Sequence, residues 1–335
     1  MKKIDVIAIG GAVLDFTFYT DQGKVFSTPE NLTAQRMLGF EYGAKISPTE
    51  SHLTLGGGAA NAAVSLTRLG FIAAIATRLG ADEAGKEILA KLKKEKISGQ
   101  FVQLDRQAPT GYSFIVALDK KEREHVIFAE RGAFNNFVFK PKDFTGLSFP
   151  WLYLTSLSGK DWLKNLKAIF NFAKSRDIKI FWNPGAVQLA SGKRVLANFL
   201  KQTQILMVNK DEAIELALSG VKLGRKNPNH LNRPIYLLNI LQEWGPKLVI
   251  ITDGKKGAWG YDGKKILRQK ILRAKMINTT GVGDAFGSGF LAGLLAEKDV
   301  SRALKWGMAN SAAVLTRVGA ETGLLTRQEL LKKVK

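Results

Sequence analysis

Short apolar segments alternate with helical patterns along most of this chain of 335 residues. The strand-like segments are Lys3–Ile9, Phe71–Thr77, Trp151–Thr155, Ile178–Trp182, Ile205–Val208 and Leu248–Thr252. The helical patterns between them include Asp82–Lys96, Asp161–Arg176 and Ser301–Arg317. Apolar strands that alternate with helices are typical of a parallel sheet with helices packed on both faces. The sequence therefore predicts an α/β fold with a mostly parallel central sheet.

Two stretches do not follow this alternation. Tyr112–Leu118 and His125–Ala129 are β-rich runs on either side of the polar segment Asp119–Glu124, which predicts a β-hairpin. Phe16–Ser51 is long and has no clear helical pattern. We find neither an internal repeat nor a disordered linker, so residues 1–335 are predicted to form a single domain.

The formal net charge of +21 raises the question of a nucleic-acid or membrane partner. The lysines are scattered, as at Lys91, Lys93, Lys94 and Lys96, and aromatic side chains that could stack on bases do not lie between them. We therefore expect a solvated basic surface that attracts anionic substrates such as ATP. Specific nucleic-acid binding and membrane binding are not expected.

Several kinds of site are excluded by composition. The chain has no cysteine, so it forms no disulfide and uses no thiolate chemistry. Its histidines, His52, His125 and His230, are widely separated, which argues against a histidine metal cluster. The absence of a signal peptide and of an apolar run of spanning length predicts a cytoplasmic protein.

The segment Asn278–Phe286 carries the strongest chemical signal. Gly281 and Gly283 come just before Asp284, and a long apolar run of small residues follows, as in a loop that leads into a helix. The N–H groups of Gly281, Val282 and Gly283 could then bind an anion, which the helix dipole also favours. A carboxylate in that place repels phosphate, so we expect Asp284 to accept a proton from a hydroxyl during phosphoryl transfer. The alternative is a glycine-rich entry loop with an acidic first turn and no catalytic role.

A second glycine-rich segment runs from Gly56 to Val64. Gly56, Gly57 and Gly58 allow a ligand or another backbone to come close, because none has a Cβ. Asn61 lies in the first turn of the alanine-rich helix that follows and can both donate to and accept from a hydroxylated ligand. Tight packing of helix against sheet explains the alanines, but it does not explain the three glycines together with Asn61.

The segment Asn209–Glu212 follows the apolar strand Ile205–Val208 and begins a helix. Asn209 and Glu212 have the spacing of a capping box, in which each side chain binds the backbone of the other residue. They also offer the oxygen ligands that Mg²⁺ prefers, with waters completing the coordination. Both interpretations are open at this point.

Together, these segments resemble signatures of the ribokinase-like (PfkB) carbohydrate kinase family. Asn278–Phe286 is similar to the family's C-terminal signature, Gly57, Gly58 and Asn61 to its N-terminal one, and Asn209-x-x-Glu212 to its Asn-x-x-Glu motif. The resemblance covers essentially the whole chain. It implies a ribokinase-like α/β fold. Two segments, approximately residues 16–51 and 108–134, would form a small β lid over the substrate, and the lid would allow a homodimer.

The resemblance also implies an ATP-dependent kinase that phosphorylates a hydroxymethyl group of a sugar. Asp284 would be the base, and the backbone N–H groups of Gly281, Val282 and Gly283 would bind the transferring phosphoryl group. The acceptor would be bound by Asp15, Gly57, Gly58 and Asn61. ATP would be bound by Asn209, Thr252, Gly254, Gly257 and Asn310, and Mg²⁺ would be held through water by Asn209 and Glu212. Alternatives are a nucleoside kinase of the same fold or a sugar-binding sensor without catalysis.

Two segments depart from the family pattern. Asn278 stands where the family usually carries Asp, so we expect little or no binding of a monovalent cation. Asn183-Pro184-Gly185 lies where many members have Asp-Pro-Asn-x-Arg, so an arginine that could contact phosphate or an acidic sugar is missing there. Arg131, next to Gly132 beside the predicted hairpin, could approach substrate or phosphate, although turn chemistry explains the glycine equally well.

Overall fold

The computed structural model describes residues 3–28, 30, 36–118, 125–221 and 228–335. The strands in the described part are β1 (Val6–Ile9), β2 (Val13–Thr20), β3 (Lys24–Ser27), β4 (Arg36–Gly39), β5 (Glu50–Gly56), β6 (Ala73–Gly80), β7 (Ser98–Asp105), β8 (Thr110–Leu118), β9 (His125–Gly132), β10 (Trp151–Leu154), β11 (Lys179–Trp182), β12 (Ile205–Asn209), β13 (Leu248–Thr252), β14 (Ala258–Tyr261) and β15 (Ile266–Gln269). The helices are α1 (Gly58–Arg68), α2 (Glu83–Lys94), α3 (Trp162–Ser175), α4 (Ala186–Leu200), α5 (Lys210–Leu218), α6 (Pro234–Glu243), α7 (Val282–Glu297), α8 (Val300–Val314) and α9 (Arg327–Lys333).

The central sheet has nine strands in the order β15-β14-β13-β12-β11-β10-β1-β6-β7. Every pairing from β7 across to β13 is parallel, and the β13–β14 and β14–β15 pairings are antiparallel. The predicted α/β fold with a mostly parallel central sheet is therefore confirmed. Each of the six predicted apolar segments overlaps a strand of this sheet.

Two apolar cores lie on opposite faces of the central sheet, and β1 contributes to both. Val6 and Ala8 belong to one core, whereas Ile7 and Ile9 belong to the other. Successive side chains of a strand point to opposite faces, so a strand covered on both sides must be apolar throughout. Helices α1, α7 and α8 pack together on the first face.

A separate four-stranded sheet, which we call the lid sheet, has the order β5-β2-β8-β9. Strands β8 and β9 pair antiparallel, so the predicted hairpin pairing is confirmed, while its turn at 119–124 lies outside the described residues. Strand β2 pairs antiparallel with β5 and parallel with β8. Strands β3 and β4 form a two-stranded sheet of their own. The single-domain assignment with these lid segments stays a prediction.

In the described part of the chain, no helix has both the length and the apolar character needed to cross a membrane.

Candidate active site

The residues predicted to bind ligands gather at the carboxyl ends of the central strands. Asn209 ends β12, Thr252 ends β13 directly beside it, and Gly10 follows β1. Asp15 lies on β2 of the lid sheet, soon after the chain leaves β1. Open parallel sheets bind ligands at this edge, because loops and helix N-termini converge there.

The N-terminus of α7 forms an open anion-binding loop. Gly281 has φ of +75°, and a Cβ at this position would collide with Ala320, so only glycine fits. A Cβ at Gly283 would meet no atom within 4 Å, which leaves space for a ligand. Among the described residues, the backbone N–H groups of Gly283 and Asp284 have no acceptor, whereas that of Val282 makes one long bond of 3.5 Å to the Thr279 carbonyl.

Asp284 lies in the first turn of α7, as predicted, and Asn61 of α1 orients it. Asn61 Nδ2 donates to Asp284 Oδ2 at 2.8 Å. Burial raises the pKa of Asp284, while the bond from Asn61 and the positive charge of Arg131 oppose that rise. The Asn61 side chain is itself buried, and its Oδ1 has no partner among the described residues. Asn61 therefore holds the carboxylate and still offers an acceptor to a ligand.

The triple glycine lies between the carboxylates of Asp15 and Asp284. A Cβ at Gly56 would overlap the Asp15 carboxylate, and a Cβ at Gly58 would lie 3.3 Å from Asp284 Oδ1. Gly57 has φ of +91°, and its Cβ would press on the backbone of Gly11 at 2.5 Å. The absence of these Cβ atoms allows both acidic side chains to approach the start of α1.

Asp15 is buried on the face of the lid sheet that is turned toward Asp284. It pairs with Ser113 of β8 and accepts a hydrogen bond from that side chain. Burial raises the pKa of Asp15 to about 6, although the Ser113 hydrogen bond lowers it. The negative charge of Asp284 adds to the rise and Arg131 opposes it, so these charged groups share one electrostatic environment.

Asn209 and Glu212 form the capping box that the sequence allowed. Asn209 Oδ1 accepts from the Glu212 backbone N–H at 2.9 Å, and Glu212 Oε2 accepts from the Asn209 backbone N–H at 2.8 Å. Burial, together with the negative charges of Glu215, Asp211 and Asp284, raises the pKa of Glu212 to about 7, although the hydrogen bond from the Asn209 backbone lowers it. The capping bonds use one carboxylate oxygen of Glu212, so the other is free of them.

The segment after β13 turns tightly, with Gly254 and Gly257 at positive φ. The Asp253 backbone N–H donates to the Gly257 carbonyl at 2.8 Å. The Asp253 carboxylate lies 3.7 Å from Lys210 Nζ, on the helix that Asn209 caps. This contact brings the predicted nucleotide loop, Thr252–Gly257, next to the predicted Mg²⁺ motif.

Asn310 is the exception among the predicted ligand-binding residues. Its side chain is fully buried, donates to Ser65 Oγ at 3.0 Å and to the Ala285 carbonyl at 2.8 Å, and accepts from the Leu325 backbone N–H at 3.1 Å. An amide engaged in this way ties α8 to α1 and α7 and is not available to adenine. The predicted adenine contact of Asn310 is therefore corrected to a structural role.

Neighbouring residues of α8 do line a cavity. Its volume is about 520 Å³, and Ala309, Ala312 and Ala313 present their methyl groups to it. Leu272 and Leu324 contribute further apolar walls. Arg273, Arg317, Glu329 and Lys333 also line it, so the cavity combines small apolar walls with charged side chains. The sequence prediction selected the correct helix, but the residues of α8 that line the cavity are alanines and not Asn310.

Two hydrogen bonds between the lid sheet and the C-terminal signature were not anticipated. Asn278 Nδ2 donates to the Tyr19 hydroxyl at 2.7 Å, and both side chains are buried. His125 Nδ1 lies 2.8 Å from Thr279 Oγ1. Burial lowers the pKa of His125, so the neutral ring is favoured. These bonds fasten the lid sheet beside the anion-binding loop.

Comparison with known proteins gives a consistent result. The family model described as pfkB family carbohydrate kinase matches residues 32–327. Ribokinase of Haemophilus influenzae is 26% identical, with 92% of this chain and 98% of that protein covered.

Two solved structures show the same fold. Arabidopsis thaliana ribokinase, complexed with ribose and ATP, superposes with a TM-score of 0.78 at 18% identity, covering 100% of this chain and 99% of that one. Burkholderia thailandensis nucleoside kinase, in complex with inosine, also gives a TM-score of 0.78, at 17% identity and with 98% and 97% of the two chains covered. Since the family model spans most of the sequence, this chain belongs to the pfkB family of carbohydrate kinases.

Proposed function

We propose that this protein transfers the γ-phosphoryl group of ATP to a hydroxymethyl group of a sugar. The observation that carries the proposal is the Asp284 carboxylate, oriented by Asn61 and set beside an N-terminal loop with unused backbone N–H groups. A base and an anion site in contact are what phosphoryl transfer to an alcohol requires. Family membership supports the same reaction class.

Asp284 acts as the general base for the acceptor hydroxyl. Its pKa is raised by burial, so it accepts a proton more readily than an exposed carboxylate. Asp15 and the free Oδ1 of Asn61 bind other hydroxyl groups of the acceptor, while Gly57 and Gly58 let the sugar lie close to the backbone. Correct placement of the hydroxyl supplies much of the rate, because phosphoryl transfer needs little covalent help from the protein.

The loop Gly281–Gly283 stabilises the transferring phosphoryl group. Backbone N–H groups at a helix N-terminus are fixed donors, and they bear partial positive charge. The open space beside Gly283 admits the phosphate oxygens. Asp284 thus acts on the acceptor hydroxyl, which is the nucleophile, and the N–H donors act on the negative charge of the phosphoryl group.

Asn209 and Glu212 fit a hydrated Mg²⁺. Burial is the main cause of the raised pKa of Glu212, and the negative charges of Glu215, Asp211 and Asp284 add to it, so a nearby cation would stabilise the carboxylate. In the described residues no cluster of three or more acidic or histidine side chains could hold a metal ion alone, so waters and phosphates would complete the coordination. When bound, Mg²⁺ would neutralise phosphate charge. Asn209 and Glu212 would orient its waters.

The nucleotide would lie along the Thr252–Gly257 turn, beside β12 and α5. Thr252 offers a hydroxyl, and a Cβ at Gly254 would meet no atom within 4 Å, which gives phosphates access to the backbone there. Gly257, also at positive φ, keeps the turn close to the Gln269 backbone. The cavity along α8 would take the base, with Ala309 and Ala312 lining it in place of Asn310. This arrangement extends from the base to the anion-binding loop of α7.

A monovalent cation is not needed in this proposal. Asn278 carries no charge, and both ends of its amide are engaged, with Nδ2 on the Tyr19 hydroxyl and Oδ1 accepting from the Thr280 backbone N–H at 2.7 Å. The Leu315 carbonyl accepts from Ile277 N at 2.7 Å. A neutral amide contributes only a dipole to a bound cation, whereas a carboxylate would compensate its charge.

The outer face of the lid sheet supports a homodimer. Tyr112, Phe114 and Phe128 form an exposed aromatic group on β8 and β9, with Phe128 62% exposed. Strand β9 is also an edge strand of the lid sheet. Exposed apolar patches and open edges favour pairing with another copy.

A nucleoside is the second candidate for the acceptor, and the fold shared with the inosine-bound kinase favours it. The two candidates present similar hydroxymethyl groups to Asp284. A sugar-binding sensor without turnover is the remaining alternative, and the intact Asp284 with its anion-binding loop argues against it.

A coupled assay of ADP release distinguishes these functions. Purified protein with ATP and Mg²⁺ is tested against pentoses, hexoses, sugar acids, sugar phosphates and nucleosides, with thermal shift measured in parallel. We expect acceptor-dependent ADP release from one of these groups. Stabilisation by a sugar without any ADP release would support the sensor, and no response to any acceptor would contradict the kinase proposal.

A further inference from the structure

Arg131 of β9 lies on the inner face of the lid sheet, the face that also carries Asp15. Tyr112 of β8 pairs with Glu130, so Arg131 is opposite Gly111. The β8 residue paired with Asp15 lies two positions from Gly111. Residues two apart on a strand, and residues directly opposite on paired strands, share one face of the sheet. Arg131 and Asp15 therefore extend toward the same cleft.

The electrostatics agree with this placement. The positive charge of Arg131 lowers the pKa of Asp15 and of Asp284, in both cases against the larger rise caused by burial. An effect on both carboxylates requires that the guanidinium lies close to the space between them. Arg131 is only partly buried, and its side chain makes neither an ion pair nor a hydrogen bond with any described residue.

The surroundings of Arg131 leave room for a ligand. Ile127 and Ala129, on the same face of β9, are exposed, with Ile127 at 46%. The segment Asn183–Gly185 carries no arginine. Arg131 is also the only cation that contributes to the pKa shift of Asp284 in the described part of the molecule.

We propose that Arg131 binds an anionic group on the acceptor, a carboxylate or a phosphate, so that the acceptor is a sugar acid or a sugar phosphate. This inference rests on the proposed kinase function and narrows its substrate class. It assigns Arg131 to substrate specificity and not to the transfer step.

The charge balance of the cleft gives the physical reason. Asp15 and Asp284 repel an anionic acceptor, so an acceptor of that kind needs a compensating cation. A guanidinium suits this task because its fork of N–H donors can bind two oxygens of a carboxylate or phosphate at once. A neutral sugar already finds its partners in Asp15 and Asn61 and gains little from a cation.

The test compares matched acceptors in wild type, Arg131→Met and Arg131→Lys. The pairs are D-gluconate with D-glucitol, and D-fructose 6-phosphate with D-fructose. Arg194→Met is the control. It also removes one positive charge, but Arg194 is exposed on helix α4, which is not part of the lid sheet. Both kcat and KM are measured, and binding of each acceptor is measured separately by calorimetry.

We expect wild type to prefer the anionic member of at least one pair. Arg131→Met should lower kcat/KM for that acceptor at least tenfold more than for its neutral partner, mainly through KM, and Arg131→Lys should retain part of the preference. Arg194→Met should leave the preference as in wild type. Two outcomes would overturn the inference. An equal loss of kcat/KM for both members of a pair would indicate that Arg131 only balances the charge of the cleft, and a loss confined to kcat with every acceptor would indicate that it stabilises the transition state.

The two levels of the proposal can fail separately. If wild type binds an anionic acceptor and Arg131→Met does not, the specificity assignment holds even without turnover, and only the kinase function fails. If wild type phosphorylates neutral sugars or nucleosides better than every anionic acceptor, the kinase function holds and the role of Arg131 is refuted.

Discussion

Asn61 donates a hydrogen bond from Nδ2 to Oδ2 of Asp284 across 2.8 Å, although the two residues are 223 positions apart in the chain. The bond joins the first turn of α1 to the first turn of α7, so one glycine-rich loop orients the acidic residue of the other. Because it stabilises the charged form of Asp284, it opposes the effect of burial on the pKa of that carboxyl. The Asn61 amide therefore affects both the position and the pKa of Asp284, the proposed base.

Replacing Asn61 with Leu should raise the pKa of Asp284. Leu has a similar branched shape, is somewhat larger and donates no hydrogen bond; a bond to a charged group contributes about 1.5–3 kcal/mol. The rate falls at low pH, where Asp284 is protonated, so the acidic limb of kcat against pH should move upward by about one to two units. A lower rate with an unmoved limb would show that Asn61 affects only the acceptor.

Asp284→Asn should abolish phosphoryl transfer while fold and ATP binding stay largely intact. Asn has nearly the same size but cannot accept the hydroxyl proton, and loss of a general base typically costs about 10²–10⁴ in rate. ATP affinity should stay equal or increase, since repulsion between carboxylate and phosphate is removed. The measurements are kcat, calorimetric ATP affinity and the thermal midpoint. Turnover near the wild-type rate would mean that Asp284 is only a structural residue.

Glu212 should make the protein less stable as pH rises. Its pKa is raised from 4.5 to about 7 in the folded state, so the folded protein binds the proton more tightly than the unfolded chain does. Its contribution to stability is therefore greatest below pH 4.5 and declines until about pH 7. The full decline is at most about 3–4 kcal/mol, since each pKa unit between 4.5 and about 7 corresponds to about 1.4 kcal/mol.

Glu212→Gln keeps an acceptor for the capping box and removes this titration. The free energy of unfolding is measured in urea at pH 5 and pH 8. The difference between Glu212→Gln and wild type should shift toward the variant on going from pH 5 to pH 8, because only wild type loses stability over that range. Glu243→Gln, an exposed change at the end of α6, is the matched control and should follow wild type. Parallel curves for Glu212→Gln and wild type would show that the carboxyl is not perturbed.

Potassium should have little effect on the rate. The Asn278 amide is neutral and already bonded to Tyr19 and to the Thr280 backbone, so it offers no charge to a cation. Initial rates are compared in K⁺ and in tetramethylammonium at equal ionic strength, for wild type and Asn278→Asp. We expect stimulation only in the variant, where a carboxylate is restored. Strong stimulation of wild type would contradict the prediction.

The lid should mediate a homodimer. Phe128→Asp places a charge in the exposed aromatic face of the lid sheet and should dissociate the dimer, as measured by sedimentation equilibrium. Ile235→Asp on α6 is the control, because Ile235 is 52% exposed and Phe128 62%, and the lid sheet does not include it. A wild-type protein that is monomeric at micromolar concentration, or a Phe128→Asp variant that remains dimeric, would refute this interface.

The sequence by itself determined the class of fold and the start of helix α7. Runs such as residues 248–251 are apolar at every position, as a strand covered on both faces requires, so the parallel sheet follows from local pattern. The positive φ at Gly281 and the acidic first turn at Asp284 are also local properties of α7. The capping box of Asn209 and Glu212 depends on residues three apart, for the same reason.

Tertiary structure alone decided which distant groups meet. The pairing of Asn61 with Asp284, the bond from Asn278 to Tyr19 and the position of Arg131 all depend on how α1, α7 and the lid sheet pack, and no local pattern encodes that. Asn310 shows the same limit, since an amide on a helix can face a ligand or a neighbouring helix, and only packing distinguishes the two. Local periodicity fixes which element a residue belongs to, whereas charge, burial and hydrogen bonding across elements fix what that residue can do.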